Sequence, residues 1–393
     1  MIEQTAGVTQ TSDTELVNRV SRLGPDIEAA TAEIDAQRRL PDTLVEQLRR
    51  TGVFRMPMPR SWGGPELDPL SQIRVLEQLA YHDASVAWVA MICCDGGYYT
   101  GFLPDETAAR ELYPTLDELT SGWLSPGGRA TRVHGGWSVS GRWQFGSGIL
   151  HADRIVGGML GFDDGELVTS PDGSPRLLVG FLPTPEVEIH DTWYTTGLAG
   201  SGSNDYSVSE VFVPDEHVFC PLEVGHRDGP LYRYHGWFFT KLVGVAIGTG
   251  RRAIDELINL ADNKIAPPAM HPIKHEYRIQ VEVARAEADL AACRALTDAT
   301  LEEVWDSLVA GDPPTTAQRA AIGALGIWVT QTVKTMVDRI CAEVGTASIY
   351  AGAPLERIRR DLTTMSHHLA GQTRTYQTVG QLRLGLPTQF PIF

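Results

Sequence analysis

The chain has 393 residues, 42% hydrophobic and 21% charged, with a formal net charge of −16. This length suits two or three domains with a sizeable core, and the composition excludes a disordered chain. The acidic surplus opposes binding to nucleic acid or anionic membranes, and apolar runs such as 243–247 are too short to span a bilayer.

The pattern over 13–37 is helical, with Leu16, Val20, Leu23 and Ile27 on one stripe and a break at Gly24-Pro25. Residues 1–12 read as a frayed terminus. The next helix is well marked: Pro41 opens it, Leu44 and Leu48 form its stripe, Arg49-Arg50 end it and Gly52 stops it. A turn-rich segment carrying Trp62 leads to helices over 70–81 and from Ala84 to Met91.

Near Ser121 the texture changes to short alternating runs at 132–134, 136–145, 154–160, 176–181, 186–190 and 206–213. Gly, Pro, Asp and Ser cluster between them, which predicts a small antiparallel β domain, barrel or sandwich. From about Tyr232 the chain is helical again, with long Ala-rich segments over 238–263, 276–308 and 317–344 and a fourth after Pro354. The expected fold class is therefore α+β. It comprises an N-terminal helical domain (1–120), a central antiparallel β-barrel or sandwich (121–228) and a C-terminal four-helix bundle (229–393).

Cys93, Cys94, Cys220, Cys293 and Cys341 form no C-x-x-C, and no signal-peptide pattern precedes them. They read as reduced thiols of a cytoplasmic protein. Scattered His226, His235, His271 and His275, with no carboxylate pair beside them, argue against a metal site. The glycine-rich stretches 197–202 and 244–250 lack the strand-to-helix setting of a Rossmann site.

Three places carry chemistry. In 141–158 aromatic Trp143 and Phe145 precede Gly146-Ser147-Gly148. That is either an ordinary glycine turn or a spot where a flat heterocycle meets a hydroxyl and bare backbone. Arg251-Arg252 follow Gly248-Thr249-Gly250 on a long helix. They form a solvated face, or one Arg grips a pyrophosphate where small residues admit a ligand or a neighbouring helix. His367-His368 would point about 100° apart on a helix, as surface or capping groups or with one of them transferring a proton.

Together these pieces resemble the acyl-CoA dehydrogenase fold from about residue 15 to 386, and more narrowly its flavin-dependent monooxygenase branch, the two-component hydroxylases. The resemblance is carried by 53–64, Ser85-Val-Ala-Trp-Val89, 141–148, Asp191-Thr192-Trp193, 197–205, Val211-Phe-Val-Pro214, and Arg360-Asp361 followed by His368. Dehydrogenases carry a Tyr-Glu-Gly-Thr motif after Arg-Asp, whose Glu removes a substrate α-proton. Here the matching positions read His368-Leu369-Ala370-Gly371, and 235–244 offers no acid either.

The resemblance implies reduced flavin, FAD or FMN, supplied by a separate reductase, with O2 as co-substrate and reaction through a C4a-(hydro)peroxide. Ser147 would hydrogen-bond near flavin N5 and His368 would act as acid or base. Ser125, Trp143, Phe145, Arg251, Gly345 and Thr346 would hold the cofactor, and Trp123, Trp193 and Trp237 would line the substrate pocket. The substrate would be an aromatic, such as an indole, phenol or polyketide ring, or a nitrogen-bearing small molecule. A homotetramer or homodimer is implied. Rival readings are an acyl-CoA dehydrogenase or oxidase with a non-standard base, and a non-catalytic flavin-binding protein.

Overall fold

A computed structural model describes residues 13–265, 267–268 and 270–388; the expected frayed segment 1–12 lies outside them. The helices before the sheet are α1 (Asp13–Ser21), α2 (Gly24–Gln37), α3 (Asp42–Thr51), α4 (Pro69–His82), α5 (Ala84–Cys93), α6 (Gly96–Phe102) and α7 (Glu106–Leu112). Local chemistry sets their ends. Gly52 stops α3 at φ 88°, where its backbone N–H returns to Arg49. The Asp68 carboxylate caps α4 at Ser71 N, and Asp83 caps α5 at Val86 N. Helix α6 was not apparent in the sequence because it opens with Gly96-Gly97. A Cβ on Gly97 would lie 2.6 Å from the Pro57 carbonyl oxygen, so close packing selects glycine there.

The sheet comprises β1 (Thr120–Val133), β2 (Gly136–Gly146), β3 (Arg154–Asp163), β4 (Glu166–Leu167), β5 (Leu177–Leu182), β6 (Glu188–His190), β7 (Asn204–Pro214) and β8 (Val218–Phe219). Its order is β6-β7-β2-β1-β3-β5-β8, with β4 beside β3. The expected all-antiparallel domain needs one correction: β1 and β3 run parallel, so the sheet is mixed. Alternation of side chains is the same in both kinds of pairing, so a period-2 pattern does not reveal direction.

After the sheet come α8 (Leu242–Asn263), α9 (Tyr277–Ala310), α10 (Thr316–Val344), α11 (Pro354–Met365) and α12 (Tyr376–Leu384). Thr315 and Gln318 close a reciprocal capping box at the start of α10. Helices α8 to α11 pack together, and α12 joins α10. Helices from both ends of the sequence share one core running from Leu16 to Met365, whereas the sheet has its own, centred on Trp137, Trp143, Met159 and Tyr206. A third apolar cluster, including Tyr99, Tyr113, Phe181 and Phe219, joins the two. Among the described residues no helix is long and apolar enough to cross a membrane.

Candidate active site

Ser147 lies where β2 ends. The ladder between β2 and β7 slips between Trp143 and Gly146, and Phe145 adopts φ 64° within that irregularity. An L residue in the left-handed region is strained, and here it turns the side chain around. This reversal corrects the expected wall of Trp143 and Phe145 side by side. Trp143 is buried, stacks on Tyr206 at 5.2 Å and gives its indole N–H to Gly158 O at 2.7 Å, so it has no free face. Phe145 instead stands 46% exposed, edge-to-face with Trp123 at 5.6 Å and with Trp193 at 6.3 Å.

The Ser147 hydroxyl is buried and anchored. Trp88 Nε1–H donates to it over 3.0 Å, and Ser203 Oγ lies 2.8 Å away. Its carbonyl accepts from Ser121 Oγ at 2.8 Å. A Cβ on Gly148 would come within 2.6 Å of Cys93 Sγ, so glycine lets this loop settle onto α5.

His368 stands beyond the end of α11, in a turn and not on the expected helix, so helical spacing does not govern the histidine pair. His367 is exposed, whereas the His368 ring meets the Trp88 indole edge-to-face at 5.3 Å. Ala370 N–H donates to His368 Nδ1 over 3.2 Å, which leaves the proton of the neutral ring on Nε2. Burial pushes the imidazole down to about 4, with no charged group opposing it. His368 is therefore a neutral hydrogen-bond donor at neutral pH. Trp88, which lies in the 85–89 stretch and carries no role in the resemblance, connects the two residues expected to be catalytic. It lies in a helix buried nearly all round, so periodicity gave no sign of a special face.

The walls are held from two sides. Arg38 pairs with Asp191 at 2.8 Å, reaches Trp193 O at 3.1 Å and stacks on Tyr194 at 3.8 Å. Trp193 gives its indole N–H to Leu198 O, and Leu198 N–H donates to Asp361 at 2.6 Å. A Cβ on Gly197 would lie 2.1 Å from Arg360 O. Burial lifts the Asp361 carboxyl to about 7, against the pull of nearby Arg357. Arg357 itself joins Asp35 and the α5 cap Asp83.

Ser125 is exposed on a bulge of β1, pressed so close to β3 that a Cβ on Gly158 would meet Leu124 O at 2.1 Å. Trp237 departs from its expected place in the pocket: it is fully buried against Tyr234 and Trp305, with its N–H given to Pro230 O. Gly345 and Thr346 are exposed in a short 3-10 turn after α10. Arg251 pairs with Asp255 and Glu287 beside a cavity of about 430 Å³, which Arg74, Glu77 and Arg294 also line. The glycines before it serve helix packing, because Cβ atoms on Gly244 and Gly248 would meet carbonyls of α4 at 2.6 and 2.2 Å. Ser147, His368, Phe145, Trp123 and Trp193 thus belong to one connected set, and Arg251, Gly345 and Thr346 stand on the bundle apart from it.

The connected set fits a flat heterocycle edged with acceptors. It offers an exposed aromatic face, a serine hydroxyl and an imidazole N–H, and Asp361, the buried acid before His368, is occupied by Leu198. Among the described residues no cluster of metal-ligating side chains occurs.

Models of the acyl-CoA dehydrogenase N-terminal and C-terminal domains match residues 22–100 and 241–373. The chain is 31% identical over 370 residues to indole-3-acetate monooxygenase of Pseudomonas putida, covering 91% of this chain and 90% of that protein. It is 26% identical over 389 residues to the flavin-dependent monooxygenase oxygenase subunit HsaA of Rhodococcus jostii, covering 94% and 98%. The crystal structure of 3-HSA hydroxylase from Rhodococcus sp. RHA1 superposes with a TM-score of 0.88 at 25% identity, covering 96% of this chain and 99% of that one. The chain belongs to the acyl-CoA dehydrogenase family, in its branch of flavin-dependent monooxygenases.

Proposed function

We propose that this chain is the oxygenase component of a two-component system, hydroxylating a flat aromatic of the indole, phenol or polyketide type, or a nitrogen-bearing small molecule. A separate reductase supplies its reduced flavin, FAD or FMN. That cofactor, when bound, delivers the electrons with which dioxygen is activated, and one oxygen atom enters the substrate. The observation that carries this reading is the pairing of Ser147 and His368 through Trp88, a hydroxyl and an imidazole N–H, with the Asp361 carboxyl taken up by Leu198 N–H.

Ser147 would hydrogen-bond near flavin N5, and His368 Nε2–H would donate to an acceptor atom of the bound molecule. Because His368 is neutral, it orients and donates, and it is a weak base for a thioester α-proton. Phe145, Trp123 and Trp193 cover a planar guest and exclude water, which protects oxygen transfer from wasteful loss of hydrogen peroxide. Ser125 would border the flavin ring. Arg251 would take a pyrophosphate by exchanging its carboxylate partners, and Gly345 and Thr346 would receive the far end of the cofactor across a subunit boundary. That arrangement supports a homotetramer or homodimer with three segments, 1–120, 121–228 and 229–393. Five free buried cysteines support a reducing, cytoplasmic setting.

The test is an oxygen-consumption screen with enzymatically reduced flavin against aromatic, thioether and amine compounds. A hydroxylated aromatic or amine formed in step with flavin oxidation is the expected result. Bound flavin that an acyl-CoA thioester reduces without oxygen would restore the dehydrogenase reading.

A further inference from the structure

The turn that carries His368 is held at each of the peptides that follow it. His368 O accepts from Gly371 N–H at 2.8 Å and from Gln372 N–H at 2.9 Å, which closes the turn. Leu369 O accepts from Thr375 Oγ1 at 2.9 Å, and Gly371 O accepts from Gln331 Nε2 on α10 at 2.8 Å. Between them Ala370 O lies against α10, where a Cβ on Gly326 would stand 2.7 Å from it. Ala370 and Thr375 are 2% and 5% exposed, so protein groups rather than bulk water must satisfy this backbone.

Leu369 C=O and Ala370 N–H belong to one planar peptide and point in opposite directions. Thr375 grips the carbonyl end of that plane, which aims the amide end, and the amide meets His368 Nδ1 at 3.2 Å. At that length the bond weakens quickly if the plane turns. Among the described residues the imidazole makes no other polar bond. A neutral imidazole keeps its proton on the nitrogen that does not accept, so this one amide places the proton on Nε2.

We propose that Thr375 is a positioning residue: through the peptide between Leu369 and Ala370 it selects the His368 tautomer with its proton on Nε2, and Gln331 secures the same turn from α10. Thr375 acts from behind the turn, through the backbone, and needs no contact with the bound molecule. The inference rests on the reading of His368 as a donor toward that molecule.

The experiment uses the full-length, flavin-loaded protein labelled with nitrogen-15 histidine near neutral pH, where burial keeps His368 uncharged. His368→Gln identifies the two ring resonances by their loss. In wild type Nδ1 should show the shift of an unprotonated, hydrogen-bonded nitrogen and Nε2 that of an N–H. Thr375→Val keeps the side chain's shape and removes the hydroxyl; it should move Nδ1 away from that position, and Gln331→Met should move it by less. Thr375→Ser should keep the wild-type pattern. Product formed per flavin oxidised should fall roughly two- to ten-fold in Thr375→Val, as the loss of one hydrogen bond allows. If Thr375→Val folds and leaves both ring nitrogens where they were, the proposal is wrong. If Nδ1 moves, Thr375→Ser retains the wild-type pattern and product per flavin is unchanged, the control of the tautomer stands and the donor role of His368 fails instead. Should Thr375→Val fail to fold, Gln331→Met decides, and an unmoved Nδ1 in that variant overturns the proposal.

Discussion

The imidazole of His368 stands at 86° to the indole of Trp88, with 5.3 Å between ring centres. The same indole gives its N–H to Ser147 over 3.0 Å. One side chain from α5 therefore fixes a residue of the sheet and a residue of the bundle, and with them the spacing of the site.

Replacing Trp88 separates these two duties. Trp88→Phe keeps an aromatic edge for His368 but removes the donor to Ser147. A lost buried hydrogen bond costs about 1–3 kcal/mol, so peroxide released per product should rise roughly ten-fold while flavin affinity changes less. Trp88→Ala also leaves a cavity, and stability should fall by about 3–5 kcal/mol. Denaturant melts and peroxide assays check the two effects.

His368 sets a pH signature. Burial holds its folded-state value near 4, below its ordinary 6.5. The stability it contributes is complete above about 6.5 and is lost as pH falls through 4. Wild type should thus lose stability relative to His368→Gln across that window. Product formed per flavin oxidised should show no inflection from this residue between about pH 5 and 8. An imidazole titration followed by NMR with a midpoint near 6.5 would contradict the neutral-donor role.

Asp361 works in the opposite sense. Burial raises its carboxyl to about 7 from 3.8. The stability this group contributes is complete below about pH 4 and is lost as pH rises to 7. Asp361→Asn removes that slope, so the variant should gain on wild type by on the order of 4 kcal/mol between pH 4 and 8. Urea unfolding at both pH values measures the difference, and parallel curves would show that the carboxyl is already ionised at low pH.

Gly248 tests how closely α8 packs on α4. A methyl group there would stand 2.2 Å from Glu77 O, and a backbone carbonyl in a helix has little room to yield. Gly248→Ala should destabilise by about 1–3 kcal/mol, despite alanine's better helix propensity. A melting temperature equal to wild type would show that α4 moves freely.

Much of this architecture could be read from residues alone. Pro41 and Gly52 bracket α3 because one opens a helix and the other accepts a left-handed end. Ser147 stood out because glycines flank it, and the absence of a glutamate after Arg360-Asp361 separated this chain from dehydrogenases. Trp143 and Phe145 misled because alternation assumes an unbroken strand, and a bulge with φ 64° at Phe145 reverses the second ring. Trp88 gave no local signal, since its partners are 59 and 280 residues away along the chain.

The central claim is that this site inserts oxygen and does not strip hydrogen from a thioester. The direct measurement supplies reduced flavin and heavy-isotope dioxygen to the enzyme with a substrate from the screen, followed by mass analysis of the product. One labelled oxygen atom in the product is the predicted result. A product free of label, together with bleaching of bound oxidised flavin by an acyl-CoA thioester under anaerobic conditions, would contradict it.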